Sequence, residues 1–281
     1  MLISVASGKG GTGKTTVATS LALAIKNSRV QLLDCDVEEP NAHLFLKPQI
    51  DTTETVNVSI PVVDESKCTH CGRCAEVCRF NAIAVLQKQV MLFQNLCHGC
   101  GACMLACPEN AISEGEREIG VIEAGSSNGV EFAHGKLNIG EAMSPPLIRV
   151  LKKRINGTGE TILDVPPGTS CPVVESVRGS DFVLLVTEPT PFGLNDLRLA
   201  VEMLRLLGLP HAVIVNRSGV GDSGVEDYCR SEKVDIILRI PFDRKIAEAY
   251  SRGIAMLEAV PEFADKLRQV YEHASRKAVK R

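Results

Sequence analysis

Cys68, Cys71, Cys74 and Cys78 stand at the spacing C-x2-C-x2-C-x3-C, and Cys97, Cys100, Cys103 and Cys107 repeat it 29 residues later. Thiolates spaced this way suit iron. Three within one tight loop can wrap three irons of a cubane, while the fourth projects from a helical turn towards a neighbouring cubane. That rule assigns Cys68, Cys71, Cys74 and Cys107 to one 4Fe-4S cluster and Cys97, Cys100, Cys103 and Cys78 to a second. The trailing Asn-Ala-Ile also recurs, at Asn81 and Asn110, so one unit is duplicated. Zinc is the alternative metal, but zinc sites take four ligands each and do not call for this duplicated run.

A second chemistry lies at residues 8–16, GKGGTGKTT, between an apolar run and VATSLALAIK, whose apolar positions recur at helical spacing. Gly8, Gly10, Gly11 and Gly13 let backbone N–H groups converge on phosphates where the following helix begins, with Thr12 and Thr16 completing the loop. Lys14 is then placed for the β- and γ-phosphates, and the Thr15 hydroxyl for Mg2+. Strand, glycine loop and helix are the context a phosphate-binding loop requires.

Lys9 makes the loop K-G-G-T-G-K-T-T. It resembles the deviant Walker A motif of the family that includes the Min and Par positioning ATPases, the Mrp-type iron-sulfur carriers and the nitrogenase iron protein. The resemblance implies a homodimer in which Lys9 reaches the partner's phosphates. It also implies switch I at VQLLDCDVEEPN, with Asp36 orienting the attacking water or the Mg2+ shell, and Walker B at TILDVPPGTSC. There Asp164 holds Mg2+ through water and Gly168 donates its backbone N–H to the γ-phosphate. HAVIVNRSG resembles the base-recognition strand, with Asn216 and Arg217, and the segment from Pro241 resembles the loop that closes over the base. No N-K-x-D motif appears, so ATP is preferred to GTP. Cys171, seven residues after Asp164, matches a cysteine that ligates the shared cluster of the nitrogenase iron protein; it is either an interfacial metal ligand or a small buried residue.

The cysteine stretch itself resembles the two-cluster bacterial ferredoxins over about 55 residues. One departure is that Cys107 is followed by Pro108 but Cys78 by Arg79. Either Arg79 lies beside a cluster and favours its reduced form, or it points into solvent. His70 and His98 flank cluster cysteines as hydrogen-bonding groups; His43, Cys35 and Cys229 carry no evident chemistry.

These residues need a frame. Near-continuous apolar runs at 2–6, 30–33, 161–163, 182–186, 212–215 and 236–240 alternate with helical patterns. The expectation is an α/β fold, a mainly parallel sheet with helices on both faces and an inserted small α+β ferredoxin-like domain. The expected division is 1–60 and 118–281 for the ATPase and 61–117 for the insert. Pro40 and Pro61 before it, and the glycine-rich stretch 115–140 after it, read as linkers or hairpin turns, the latter as a mobile hinge. From Lys266 onward six basic residues face one acidic, with Phe263, Leu267, Val270 and Tyr271 on one helical face. This is a terminal helix packed on the sheet rather than a membrane anchor.

The 281 residues carry a net charge of -3, no Trp and three Tyr, which disfavours nucleic-acid binding. No signal-peptide pattern opens the chain, so a cytoplasmic protein is expected, with membrane association disfavoured. The expected function is an ATP-hydrolysing iron-sulfur protein whose nucleotide state controls electron transfer or metal-cofactor assembly, with an unidentified redox partner or apo-metalloprotein. The alternative is a positioning ATPase with a redox-sensing or partner-docking insert.

Overall fold

A computed structural model describes residues 1–26 and 28–278. Among the described residues eleven strands form: β1 Leu2–Ser7, β2 Val30–Asp34, β3 Gln49–Val63, β4 Ile83–Leu86, β5 Gln89–Leu92, β6 Ile112–Ser127, β7 Val130–Leu137, β8 Glu160–Pro167, β9 Phe182–Thr187, β10 His211–Ser218 and β11 Ile236–Pro241. Nine make one sheet in the order β11-β10-β9-β1-β8-β2-β7-β6-β3. From β11 to β7 every pairing is parallel; β6 then runs antiparallel to both β7 and β3.

The central strands are buried along nearly their whole length because both faces are covered, and they are mostly apolar for that reason. Leu32 and Leu33 are adjacent and wholly buried, and they join different cores. The first core packs under the helices Lys14–Ala24 and Phe263–Lys277, the second under Pro145–Lys152, Cys171–Val177, Pro191–Leu206 and Gly224–Glu232. Each fully buried leucine contributes about 1.5–3 kcal/mol. The last helix buries Phe263, Leu267, Val270 and Ala274 against the sheet, as the packed reading expects. Lys280 and Arg281, part of the basic excess, lie outside the described residues. Among those described, no helix is long and apolar enough to cross a membrane.

The linkers expected on either side of the insert are instead strands. β3 and β6 form an antiparallel ladder from Gln49 opposite Ser126 to Val63 opposite Ile112, and the cysteine-rich region around 68–107 hangs from its end. Pro61 sits within β3 without breaking it, because β3 is the edge strand and an edge tolerates a missing N–H. Two of the glycines expected to form a hinge are instead places of close backbone approach. A side chain at Gly125 would lie 1.7 Å from the Gln49 carbonyl oxygen, and one at Gly120 2.3 Å from that of Lys136. The β6-β7 hairpin forms as its alternation predicts.

Within the insert the duplication is visible in the backbone. The helices Arg73–Val77 and Ala102–Ala106 correspond, and the left-handed residues pair off as His70 with Gly99, Gly72 with Gly101, and Asn81 with Asn110.

Candidate nucleotide site and cysteine cavities

The glycine loop turns β1 into the helix Lys14–Ala24, whose unpaired N–H groups and positive dipole end face a cavity of about 440 Å³. Gly10, Gly11, Gly13, Lys14, Thr15 and Thr16 line one side of it. Asp36, Asn216, Arg217 and Pro241 line the rest, with Phe242 and Tyr250, which the sequence did not single out. Gly8 lies behind, where a Cβ would meet the Asp196 carbonyl oxygen at 2.3 Å. Gly13 has φ of 94°, and a Cβ there would strike the Asn216 amide. That amide donates to the Thr12 carbonyl at 2.8 Å and accepts from the Arg217 N–H, so Asn216 braces the loop as well as facing the cavity.

Lys14 is buried, its Nζ 3.7 Å from Asp36 Oδ2. Behind it Asp164 is wholly buried, and neither carboxylate oxygen has a hydrogen-bond partner. Burial pushes the Asp164 carboxyl up, opposed by the Lys14 ammonium and by Thr15, which is close but outside bonding geometry. Asp36 is pushed up to about 6, first by burial, with Lys14 opposing and the charges of Asp164, Glu38 and Glu39 adding. An orphaned buried carboxylate near the Thr15 hydroxyl and the Asp36 carboxylate is a set of oxygen donors that fits a hydrated divalent cation.

Asp34 plays a different part. Its carboxylate accepts from the N–H groups of Asp36, Asn41 and Ala42 at 2.9–3.1 Å and so shapes the switch I turn. The Gly168 N–H is given to the Ser7 carbonyl at 2.9 Å, so the γ-phosphate role expected of it would require that bond to open. Lys9 points away from the cavity and pairs with Glu188, whose other oxygen takes Arg217 at 3.0 Å. Glu188 follows β9 with no motif around it, which is why the sequence did not mark it.

In the insert, one cavity is lined by Cys68, Cys71, Cys74 and Cys107, and another by Cys97, Cys100, Cys103 and Cys78. Each brings three cysteines of one repeat to the fourth of the other. Backbone N–H groups point at sulfur in matched pairs: His70 to Cys68 and Gly99 to Cys97, both at 3.4 Å, and Ala82 to Cys78 and Ala111 to Cys107, both at 3.3 Å. Such donors stabilise thiolate and cluster sulfur, so the surroundings fit an iron-sulfur cubane. Glu65 and His70 also bring ligand atoms within 4.8 Å of Cys68, a set that competes for that one thiolate.

His98 stacks on Phe80 at 3.6 Å over the second cavity, and Arg79 is exposed. Cys171 opens its helix and is exposed rather than buried. Cys35 and Cys229 are buried; burial pushes the Cys35 thiol far up and that of Cys229 up to about 11, so neither is a ready ligand.

The profile of the CobQ/CobB/MinD/ParA nucleotide-binding domain matches residues 3–256. Two uncharacterized proteins of Methanocaldococcus jannaschii are 31% and 32% identical, over 92% and 97% of this chain and 92% and 95% of theirs. The iron-sulfur cluster carrier protein of Pyrococcus horikoshii is 32% identical over 38% of this chain and 44% of its own length. Among solved structures, the septum site-determining protein MinD of Pyrococcus horikoshii, complexed with Mg-ADP, superposes over 99% of both chains with a TM-score of 0.61 at 21% identity, a likeness of fold.

Proposed function

The chain belongs to the CobQ/CobB/MinD/ParA nucleotide-binding family, and from that premise we propose that it is an ATP-binding and ATP-hydrolysing iron-sulfur protein. It works as a homodimer in which nucleotide state controls electron transfer or metal-cofactor assembly at the insert. Lys14 holds the β- and γ-phosphates, and Thr15, Asp36 and Asp164 hold Mg2+ and its water shell. Asn216, Arg217 and the segment from Pro241 enclose the base. Lys9 leaves Glu188 to reach the partner's phosphates, and Gly168 turns from Ser7 to the γ-phosphate. Bound Mg2+ supplies charge neutralisation between the phosphates, and the cubanes supply one-electron storage.

Residues 1–60 and 118–281 form the ATPase in this reading, and 61–117 the two-cluster module. Cys68, Cys71, Cys74 and Cys107 ligate one cluster; Cys97, Cys100, Cys103 and Cys78 ligate the other. The carrier protein of Pyrococcus horikoshii supports an iron-sulfur role through its name and partial match.

One observation carries the coupling. The ladder bearing the cysteines is continuous with β7, and β7 pairs with β2, which leads into Asp36. Nucleotide state at Asp36 and the cysteine cavities therefore share a sheet. ATP affinity measured anaerobically on oxidised and reduced protein tests it: the two values should differ, and by linkage the cluster potentials should depend on nucleotide. Equal affinities would remove the coupling.

A further inference from the structure

Switch I is bonded sideways to the strand beside it. The Leu137 N–H donates to the Val37 carbonyl at 2.9 Å, and the buried Ser144 hydroxyl donates to Glu38 Oε1 at 2.9 Å. The loop 138–144 is thus gripped at both ends by residues next to Asp36. It carries Glu141, whose side chain is 2% exposed and pairs through both oxygens with the guanidinium of Arg117 on β6, one contact being 3.2 Å.

Arg117 stands opposite Val58 on β3, and the next residue, Ser59, lines the cavity of Cys97, Cys100, Cys103 and Cys78. Packing there is close, since a Cβ at Gly99 would lie 2.8 Å from the Ser59 carbonyl oxygen. The Arg117 Nε is buried and has no partner, although both terminal nitrogens are used. The hydrogen bond to Glu141 holds the guanidinium above its ordinary range; burial opposes this, and the charges of Glu141 and the Cys97 thiolate add to it. A partly buried cation with a spare N–H, one rung from a residue that lines one cavity and held by a loop that switch I grips, joins two sites the sequence does not connect.

We infer that Arg117 is a positioning residue through which the nucleotide switch bears on the cluster of the second cavity. Its charge and Nε–H favour the more negative, reduced form of that cluster, and Glu141 sets where the guanidinium stands. This rests on the reading that both cavities hold 4Fe-4S clusters.

The test is a potentiometric titration of the anaerobically reconstituted full chain, followed by electron paramagnetic resonance, with ADP and with a non-hydrolysable ATP analogue. In the wild type one of two signals should change potential with nucleotide. Arg117→Gln should move that signal to a more negative potential, leave the other in place and abolish the nucleotide shift. Ser144→Ala, which leaves the guanidinium paired but frees the loop from Glu38, should keep the nucleotide-free potentials and lose the shift. If Arg117→Gln loads poorly, Arg117→Lys keeps the charge without the Nε–H and should give an intermediate potential. Wild-type potentials in a loaded Arg117→Gln, or an equal shift of both signals, overturn the inference. A nucleotide shift retained in Ser144→Ala overturns the route. Absence of any cubane signal in the wild type instead defeats the cluster reading beneath it.

Discussion

Asp34 and Asp164 stand opposite one another in register on β2 and β8, both without solvent exposure, and only Asp34 has hydrogen-bond donors for its carboxylate. Two buried acids side by side are costly unless a cation joins them. The pair is therefore a place where a bound cation would offset a cost that the fold itself carries.

Asp164→Asn should therefore stabilise the nucleotide-free chain, by about 1–3 kcal/mol, because it removes a buried unpaired charge. The same change should lower Mg2+-dependent ATP hydrolysis on the order of 100-fold. Thermal melts and phosphate release measure the two effects. A destabilised variant with normal turnover would assign Asp164 to structure alone.

The Asp36 carboxyl lies at about 6 in the fold against 3.8 unfolded. A raised pKa means the folded state holds the proton more tightly, so this contribution is fully present below about pH 4 and is lost as pH rises through 6. Comparison of wild type with Asp36→Asn in urea, without nucleotide, should show the wild type losing up to about 3 kcal/mol relative to the variant across that range. Parallel pH curves would contradict the assignment.

Lys9 is bound to Glu188 and is about a third exposed, so the pair contributes no more than about 1 kcal/mol and can be exchanged. Glu188→Gln should raise the ATP-dependent dimer fraction in sedimentation velocity. Lys9→Ala should bind ATP as a monomer with turnover near background. A Lys9→Ala chain that dimerises normally would place the lysine outside the interface.

Cys78→Ser should cost the cavity of the other repeat, not its own. Iron content should fall from about eight to about four per chain, and the surviving signal should be that of the cluster assigned to Cys68, Cys71, Cys74 and Cys107. Cys107→Ser should remove the complementary signal. If each substitution instead removes the cluster of its own repeat, the crossed assignment is wrong.

The six apolar strands and the glycine loop are legible because a parallel sheet covered on both faces makes its strands near-continuous apolar runs with few polar positions. β3 was not. Its residues QIDTTETVNVSIPVV alternate at an exposed edge, and Pro61 resembled a break, although Thr and Val at period two were the available signal. The glycines of β6 and β7 suggest flexibility by composition alone, whereas in the fold they permit close approach of neighbouring atoms. The phosphate loop and the cysteine spacing are local and could be read directly. Glu188, Glu38, Glu141 and Arg117 act only through partners far away in the chain, so no local pattern marks them.

The chain enters the cysteine region after Val63 and returns at Ile112, and these two residues are partners on the same rung. A hairpin turn would close the ladder at that same rung, so the whole duplicated cysteine region stands where a turn of a few residues would otherwise join β3 to β6.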